Sequence, residues 1–119
     1  MKALFFFLLV TLTTTSCIYE TNGVGQPPAS PSRVTALLNA ERNFILVSWA
    51  DNSDNEDGFM VFRKSNAGWK ELGTINNATM FIDDVGDIKE TTEKVSYVVN
   101  SYNAYGKSEG VISNEVSLR

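Results

Sequence analysis

Apolar and polar residues alternate along most of the chain in short stretches, and clusters of Gly, Asn and Asp separate these stretches. Alternation with period two is typical of strands that bury one face, whereas no long stretch has helical periodicity after residue 32. Turn clusters recur about every ten residues, which is typical of an all-β sandwich. We therefore expect strands at residues 33–39, 44–50, 59–64, 70–75, 79–83, 94–103 and 111–118.

The alternation also assigns side chains to the core, because neighbouring residues of a strand point to opposite faces. We expect two of the inward residues, Trp49 and Tyr97, to place their N–H and O–H near a backbone carbonyl at a strand end. The inward set is Ile45, Val47, Trp49, Phe59, Val61, Tyr97, Val99 and Ser101.

Three strings, VSWADNSDNEDGFMVFRK, YVVNSYNAYGKSEG and SNEVS, resemble a fibronectin type III domain of the kind common in bacterial proteins. That family has a tryptophan on the second strand, an aromatic residue opening the third, and a Tyr-x-Val-x-Ala-x-Asn run followed by glycine on the sixth. Ser101 stands where alanine is usual. The resemblance covers residues 27–118 and implies a seven-stranded immunoglobulin-like sandwich, but it implies no particular function. The matching residues are Trp49, Phe59, Tyr97, Val99, Asn103 and Gly106.

The first residues have the three-part layout of a secretory signal: Lys2, an apolar run over residues 3–12, and small polar residues before Cys17. A transmembrane helix needs about 20 apolar residues, and this run is too short. The string TTSC resembles the lipobox of bacterial lipoproteins, whose cysteine sulfur takes a diacylglycerol. Thr14 stands where leucine is usual, so ordinary signal cleavage that leaves a free thiol is an alternative.

These features divide the chain into a lipoprotein signal peptide at residues 1–16, lipidated Cys17 with a flexible linker at residues 17–31, and a fibronectin type III-like domain at residues 32–119. All three prolines and two glycines lie in the linker. Ile18 follows the cysteine, where aspartate commonly marks retention in the inner membrane of such lipoproteins. We therefore expect a lipid-anchored protein on the outer membrane or another extracytoplasmic face.

The charge and the residue types present narrow the possible functions. The net charge of −4 argues against nucleic acid as a partner and against a polybasic attachment to anionic lipid. The single cysteine excludes an intrachain disulfide, and the lack of histidine removes the commonest general base. No Ser-x-x-Lys pattern or Gly-rich phosphate loop occurs. We predict no enzyme activity, no catalytic residue and no cofactor.

An acidic loop at residues 51–57 (DNSDNED) places carboxylates and amides at alternate positions, as in some calcium sites. The EF-hand spacing fails, because a frame that begins at Ser53 puts Lys64 at its last ligand position. We favour a turn in which Asn and Asp side chains bond the local backbone, and predict no metal site. The weak calcium candidates are Asp51, Asp54, Glu56 and Asp57.

The outward positions of the third and sixth strands are unusually apolar. Alternation puts Met60 and Phe62 on the outer face of one strand, and Val98 and Tyr102 on the same face of its neighbour. Contiguous exposed apolar residues often mark partner sites, so we predict that these four dock another envelope protein. The alternative is that loops or long neighbouring side chains cover them. A smaller patch is expected on the opposite sheet, from Leu37, Phe44 and Leu46.

These observations predict a membrane-anchored lipoprotein that presents a fibronectin type III binding module for protein interaction at a bacterial cell envelope. One alternative is a module that binds glycan or another cell-surface ligand through exposed aromatic residues such as Trp69 and Tyr105. Another is a phage-derived lipoprotein that blocks a receptor. The sequence leaves the identity of the partner open.

Overall fold

Strands form at all the alternating segments. The computed structural model describes residues 25–119. These residues contain no helix, and the expected all-β class is confirmed. The strands are β1 (Ser32–Asn39), β2 (Phe44–Ala50), β3 (Gly58–Ser65), β4 (Gly68–Ile75), β5 (Met80–Asp84), β6 (Lys94–Asn103), β7 (Gly106–Lys107), β8 (Val111–Ile112) and β9 (Val116–Ser117).

Two antiparallel sheets pack face to face. The three-stranded sheet has the order β1-β2-β5. The six-stranded sheet has the order β9-β6-β3-β4, and β7 and β8 also pair with β6. This arrangement confirms the all-β sandwich that the spacing of the segments predicted and the immunoglobulin-like architecture that the resemblance implied.

The last predicted strand, residues 111–118, is divided into β8 and β9. Between them the Ser113 N–H donates to the Tyr97 carbonyl at 2.8 Å. Asn114 then bonds the other sheet: its Oδ1 accepts from the Ala36 N–H at 2.9 Å, and its Nδ2 donates to the Ala36 carbonyl at 3.0 Å. The amide thus imitates a strand partner for β1, which interrupts the ladder on β6 and covers an exposed sheet edge.

The core lies between the sheets and contains the side chains that alternation directs inward. The rings of Trp49 and Phe59 meet edge to face with their centroids 5.3 Å apart. Burial of one large apolar side chain contributes about 1.5–3 kcal/mol, so these residues dominate the stability of the sandwich. Every residue expected to point inward is buried, namely Ile45, Val47, Trp49, Phe59, Val61, Tyr97, Val99 and Ser101.

The polar atoms of Tyr97 and Trp49 lie in different environments from those expected. The Tyr97 hydroxyl donates to Asp83 Oδ2 at 2.7 Å, so its partner is a carboxylate on the opposite sheet and not a backbone carbonyl. Within residues 25–119 the buried Trp49 Nε1–H has no hydrogen-bond partner. The pKa of the Tyr97 hydroxyl is well above its usual range. Burial is the main cause, and the hydrogen bond to Asp83 is the second.

Asp83 also holds a buried cation. Nη1 of Arg63 lies 2.9 Å from Asp83 Oδ1 and 2.7 Å from Oδ2, and both side chains are largely shielded from solvent. Arg63 belongs to β3 and Asp83 to β5, so this ion pair connects the two sheets. A charge buried without its partner is costly, and the two residues therefore depend on one another.

Residues 25–31 lie against the domain, although their composition predicted a flexible linker. Pro28 and Pro31 are buried, and the Ala29 carbonyl accepts a hydrogen bond from Ser101 Oγ at 2.6 Å. The predicted signal peptide, Cys17 and the first part of the predicted linker lie outside the described residues. The division of the chain at residues 16 and 31 stays a prediction.

Candidate functional site

The predicted partner-binding residues lie together on the outer face of the six-stranded sheet. In the register of β3 with β6, Phe62 lies opposite Val98, and Gly58 lies opposite Tyr102. Met60 lies between these two pairs on the same face. All four predicted side chains are partly exposed. The structure thus brings them to one surface, while their role in binding stays a prediction.

Ile112 of β8 enlarges this surface. Val98 pairs with Ile112, so Phe62, Val98 and Ile112 form a row across three neighbouring strands. Ile112 is 55% exposed and was not among the predicted partner-binding residues. Its position could have been inferred from alternation within the last strand, once Val111 was assigned inward. The name six-stranded face is used below for Met60, Phe62, Val98, Tyr102 and Ile112.

One polar side chain lies within the six-stranded face. Asn100 pairs with Met60 and lies between Val98 and Tyr102 on β6. Its Oδ1 is buried and has no hydrogen-bond partner within residues 25–119. An unpaired buried acceptor costs about 1–3 kcal/mol, so Asn100 is poorly suited to a purely structural role.

The outer face of the three-stranded sheet carries a second apolar surface. Leu37 pairs with Leu46, and Leu46 pairs with Ile82, which gives a row across all three strands. Leu37 is 69% exposed and Ile82 is 59% exposed, so this surface is the more accessible of the two. The name three-stranded face is used below for Leu37, Phe44, Leu46, Met80 and Ile82.

Met80 and Ile82 were not predicted to lie on that face. The β5 string Met-Phe-Ile-Asp-Asp has an apolar residue at each of its first three positions, so alternation alone does not decide which residues are inward. The ion pair between Asp83 and Arg63 determines which side of β5 faces inward, because it turns the Asp83 carboxylate into the core and therefore turns Ile82 outward.

The side chains of the acidic loop form local hydrogen bonds. Asp51 Oδ1 accepts from the Ser53 N–H at 3.0 Å, and Ser53 Oγ donates to Glu56 Oε1 at 2.9 Å. Such bonds are typical of a turn stabilised by an Asp side chain. The structure does not bring Asp51, Asp54, Glu56 and Asp57 together as ligands, since no group of three or more potential metal ligands occurs in the described part of the chain.

The exposed aromatic residues Trp69 and Tyr105 lie at opposite ends of the six-stranded sheet. Trp69 pairs with Lys64 near one end, whereas Tyr105 follows Asn103 at the other. Each ring is about 60% exposed. They therefore cannot form one compact glycan site. Trp69 has the richer surroundings, because Lys64 Nζ lies 5.6 Å from its ring centroid and Trp69 itself lines a cavity of about 390 Å³.

No helix in residues 25–119 is long and apolar enough to cross a membrane. Cys17, the predicted lipidation site, lies outside these residues, so its modification stays a prediction.

Comparison with solved structures supports the fold. A structure described as "FN3tt mut" aligns with a TM-score of 0.62 and 12% identity over 78% of this chain and 98% of that one. A Fn3-like protein from Clostridium thermocellum aligns with a TM-score of 0.55 and 22% identity over 73% of this chain and 92% of that one. Both alignments span nearly the whole length of the other chain.

The Clostridium perfringens spore cortex lytic enzyme SleM also aligns, with a TM-score of 0.59 and 20% identity. The alignment covers 77% of this chain but only 29% of the enzyme, so it concerns one part of a larger protein. No protein-family model and no curated protein sequence matches this chain. At these identities the likeness concerns the fold alone. The chain has a fibronectin type III-like fold.

Proposed function

We propose that this chain is a lipid-anchored protein of a bacterial envelope whose domain binds a protein partner through the six-stranded face. The observation that carries the proposal is the row of Phe62, Val98 and Ile112 across three strands, flanked by Met60 and Tyr102. Burial of such a surface favours association in proportion to the apolar area removed from water.

The membrane attachment in this proposal rests on the signal-like first residues and on Cys17. The acidic chain, with a net charge of −4, offers anionic lipid no electrostatic attachment, so a covalent anchor must hold it. A single acyl chain binds a bilayer only weakly, whereas a diacylglycerol supplies two chains. A free exposed thiol in an oxidising compartment would also be reactive, which favours lipidation of the only cysteine.

Crosslinking in the cells that make the protein tests the binding proposal. The double variant Phe62→Glu with Tyr102→Glu places two charges on the six-stranded face and should lose the crosslinked partner. The matched control is Leu37→Glu with Ile82→Glu, which places two charges on the three-stranded face and should keep it. If the first variant kept every partner, the six-stranded face would not be the binding surface.

Salt dependence provides an independent measure of the same interface. The residues of the six-stranded face are uncharged, so screening of charge should affect the complex little. We expect the partner to co-purify with the protein, without crosslinking, through a high-salt wash. A complex that dissociated in salt would indicate a charged surface and would count against the apolar face.

A second candidate function, glycan binding, is favoured by the surroundings of Trp69. Its ring is exposed, Lys64 lies over it, and Ser65 and Thr92 contribute polar groups to the cavity that Trp69 lines. Trp69→Ala should then abolish retention on cell-wall polysaccharide. Tyr105→Ala is the matched control, because it removes an equally exposed aromatic ring at the opposite end. Equal retention of all three proteins would exclude a glycan site at Trp69.

A further inference from the structure

The segment before β1 is held by side chains of the six-stranded sheet. The Gln26 carbonyl accepts from Asn103 Nδ2 at 2.8 Å, and the Ala29 carbonyl accepts from Ser101 Oγ at 2.6 Å. Both donors belong to the last three residues of β6, and Ser101 is fully buried while Asn103 is partly exposed. Hydrogen bonds to two carbonyls of the segment fix the path of its backbone.

Further contacts on the same segment strengthen this attachment. Asn52 Nδ2 donates to the Ser30 carbonyl at 3.0 Å, and the prolines at 28 and 31 are buried. A Cβ added at Gly106 would lie only 3.1 Å from the Pro27 ring, so glycine permits the close approach of the segment to β7. Residues 25–31 are therefore part of the folded domain.

The first residues of this segment lie at one end of the sandwich. Ser32 pairs with Ala50, and Gly58 pairs with Tyr102, at the end that also carries the acidic loop. We call this the tether end, formed by residues 25–31, 51–57, 76–79 and 104–105. The far end is formed by residues 40–43, 66–69 and 114–119. Val95 and Tyr102 mark the two ends on β6 and are about 23 Å apart at the usual rise per residue.

We infer that the docked segment, residues 25–31, orients the domain on the membrane, with the tether end toward the lipid and the far end toward solvent. The inference rests on the proposed lipid anchor at Cys17. Gly25 follows Cys17 by eight positions, so Gly25 lies within about 29 Å of the anchor whatever path the intervening residues take. The tether end is thereby held near the lipid. The far end lies a further length of the sandwich away and has no such constraint.

Charge does not hold this orientation. The tether end carries Asp51, Asp54 and Asp57 on exposed positions of the acidic loop, which anionic headgroups would repel. On anionic bilayers the docked segment must therefore hold the orientation against a weak repulsion. On zwitterionic bilayers this repulsion is absent. A partner protein that approaches from solvent then meets the two sheet faces and the far end, which carries Trp69 and the cavity that Trp69 lines.

Paramagnetic broadening of backbone amide signals tests the inference. The protein comprising residues 17–119 retains every described residue, and its only cysteine can be coupled to a maleimide lipid in phosphatidylcholine nanodiscs. The nanodiscs also contain a lipid with a gadolinium-chelate headgroup. We expect amides at residues 51–57 and 104–106 to lose signal several-fold more than amides at residues 66–69. Equal broadening of both ends would overturn the inference.

Two variants show whether the docked segment and the short tether cause the bias. A Gly/Ser insertion of about 20 residues after Val24 leaves the docked segment intact but lengthens the reach, and should reduce the difference between the ends several-fold. Ser101→Ala with Asn103→Ala releases the segment and should have the same effect. An unchanged bias in the insertion variant would contradict the inference. Because the coupling is chemical, these results are independent of whether cells lipidate Cys17.

Discussion

The Tyr97 hydroxyl and the Asp83 carboxylate meet at 2.7 Å across the core and join one sheet to the other. The same Oδ2 atom of Asp83 also accepts from Arg63 at 2.7 Å. Two donors on the six-stranded sheet therefore converge on one acceptor of the three-stranded sheet. Loss of that acceptor would leave a cation and a hydroxyl buried without a charged partner.

Asp83→Asn should lower the free energy of unfolding by about 3 kcal/mol or more, because it leaves the buried Arg63 charge uncompensated. Urea unfolding followed by tryptophan fluorescence measures the change. Asp87→Asn is the control, since it makes the same chemical change at an exposed position and should alter stability by less than about 0.5 kcal/mol. Equal effects of the two substitutions would contradict the proposed importance of the ion pair.

Tyr97→Phe should change how stability responds to alkaline pH. Burial raises the pKa of Tyr97 in the folded state, so above pH about 10 the unfolded chain releases a proton that the folded chain retains. Stability is fully present below that pH and falls above it by up to about 1.4 kcal/mol per pH unit. Tyr97→Phe loses a hydrogen bond at neutral pH but lacks this alkaline fall. Parallel stability profiles for the two proteins between pH about 9 and 11 would refute the raised pKa.

Asn100→Val should raise the free energy of unfolding by about 1 kcal/mol, because it removes a buried acceptor that has no partner in the described residues and adds a β-branched residue to a strand. Thr74→Val, in the same row beyond Met60, is the control and should change stability little. If Asn100→Val also lost the crosslinked partner, the asparagine would be retained for binding at a cost in stability. A destabilised Asn100→Val protein would show that its amide is satisfied in solution.

Truncation tests whether residues 25–31 belong to the domain. A chain that begins at residue 32 loses the hydrogen bonds from Ser101, Asn103 and Asn52, and should be less stable than one that begins at residue 25 by about 2 kcal/mol or more. A chain that begins at residue 17 should match the one that begins at 25. Equal thermal midpoints for all three would place the domain boundary at residue 32, as the composition predicted.

Alternation was sufficient to predict the strands and most of the core. Ile45, Val47 and Trp49 share one face of β2 because a period of two leaves no other arrangement once the turns on either side are recognised. The same reasoning placed Phe62 and Val98 on one outer surface. Local periodicity shows that each of these two residues points outward, and the pairing of β3 with β6 places them on one surface.

Contacts between distant residues could not be predicted in this way. The inward side of β5 depends on Arg63 and Tyr97, which are 20 and 14 residues from Asp83. The docking of residues 25–31 depends on donors more than 70 residues further along the chain, so the prolines and glycines of the segment suggested only a linker. Both features follow from the register of β6, which no local pattern specifies.

Fractionation of cells that express either the wild-type protein or Cys17→Ser tests the proposed lipid anchor. The wild-type protein should sediment with membranes and resist extraction by high salt, because acyl chains and not charges hold it. Cys17→Ser should appear in the soluble fraction with a folded domain, because serine offers no thiol to the lipid and the residues of the sandwich are unchanged. If Cys17→Ser still sedimented with the membranes, the proposed lipid anchor would be contradicted.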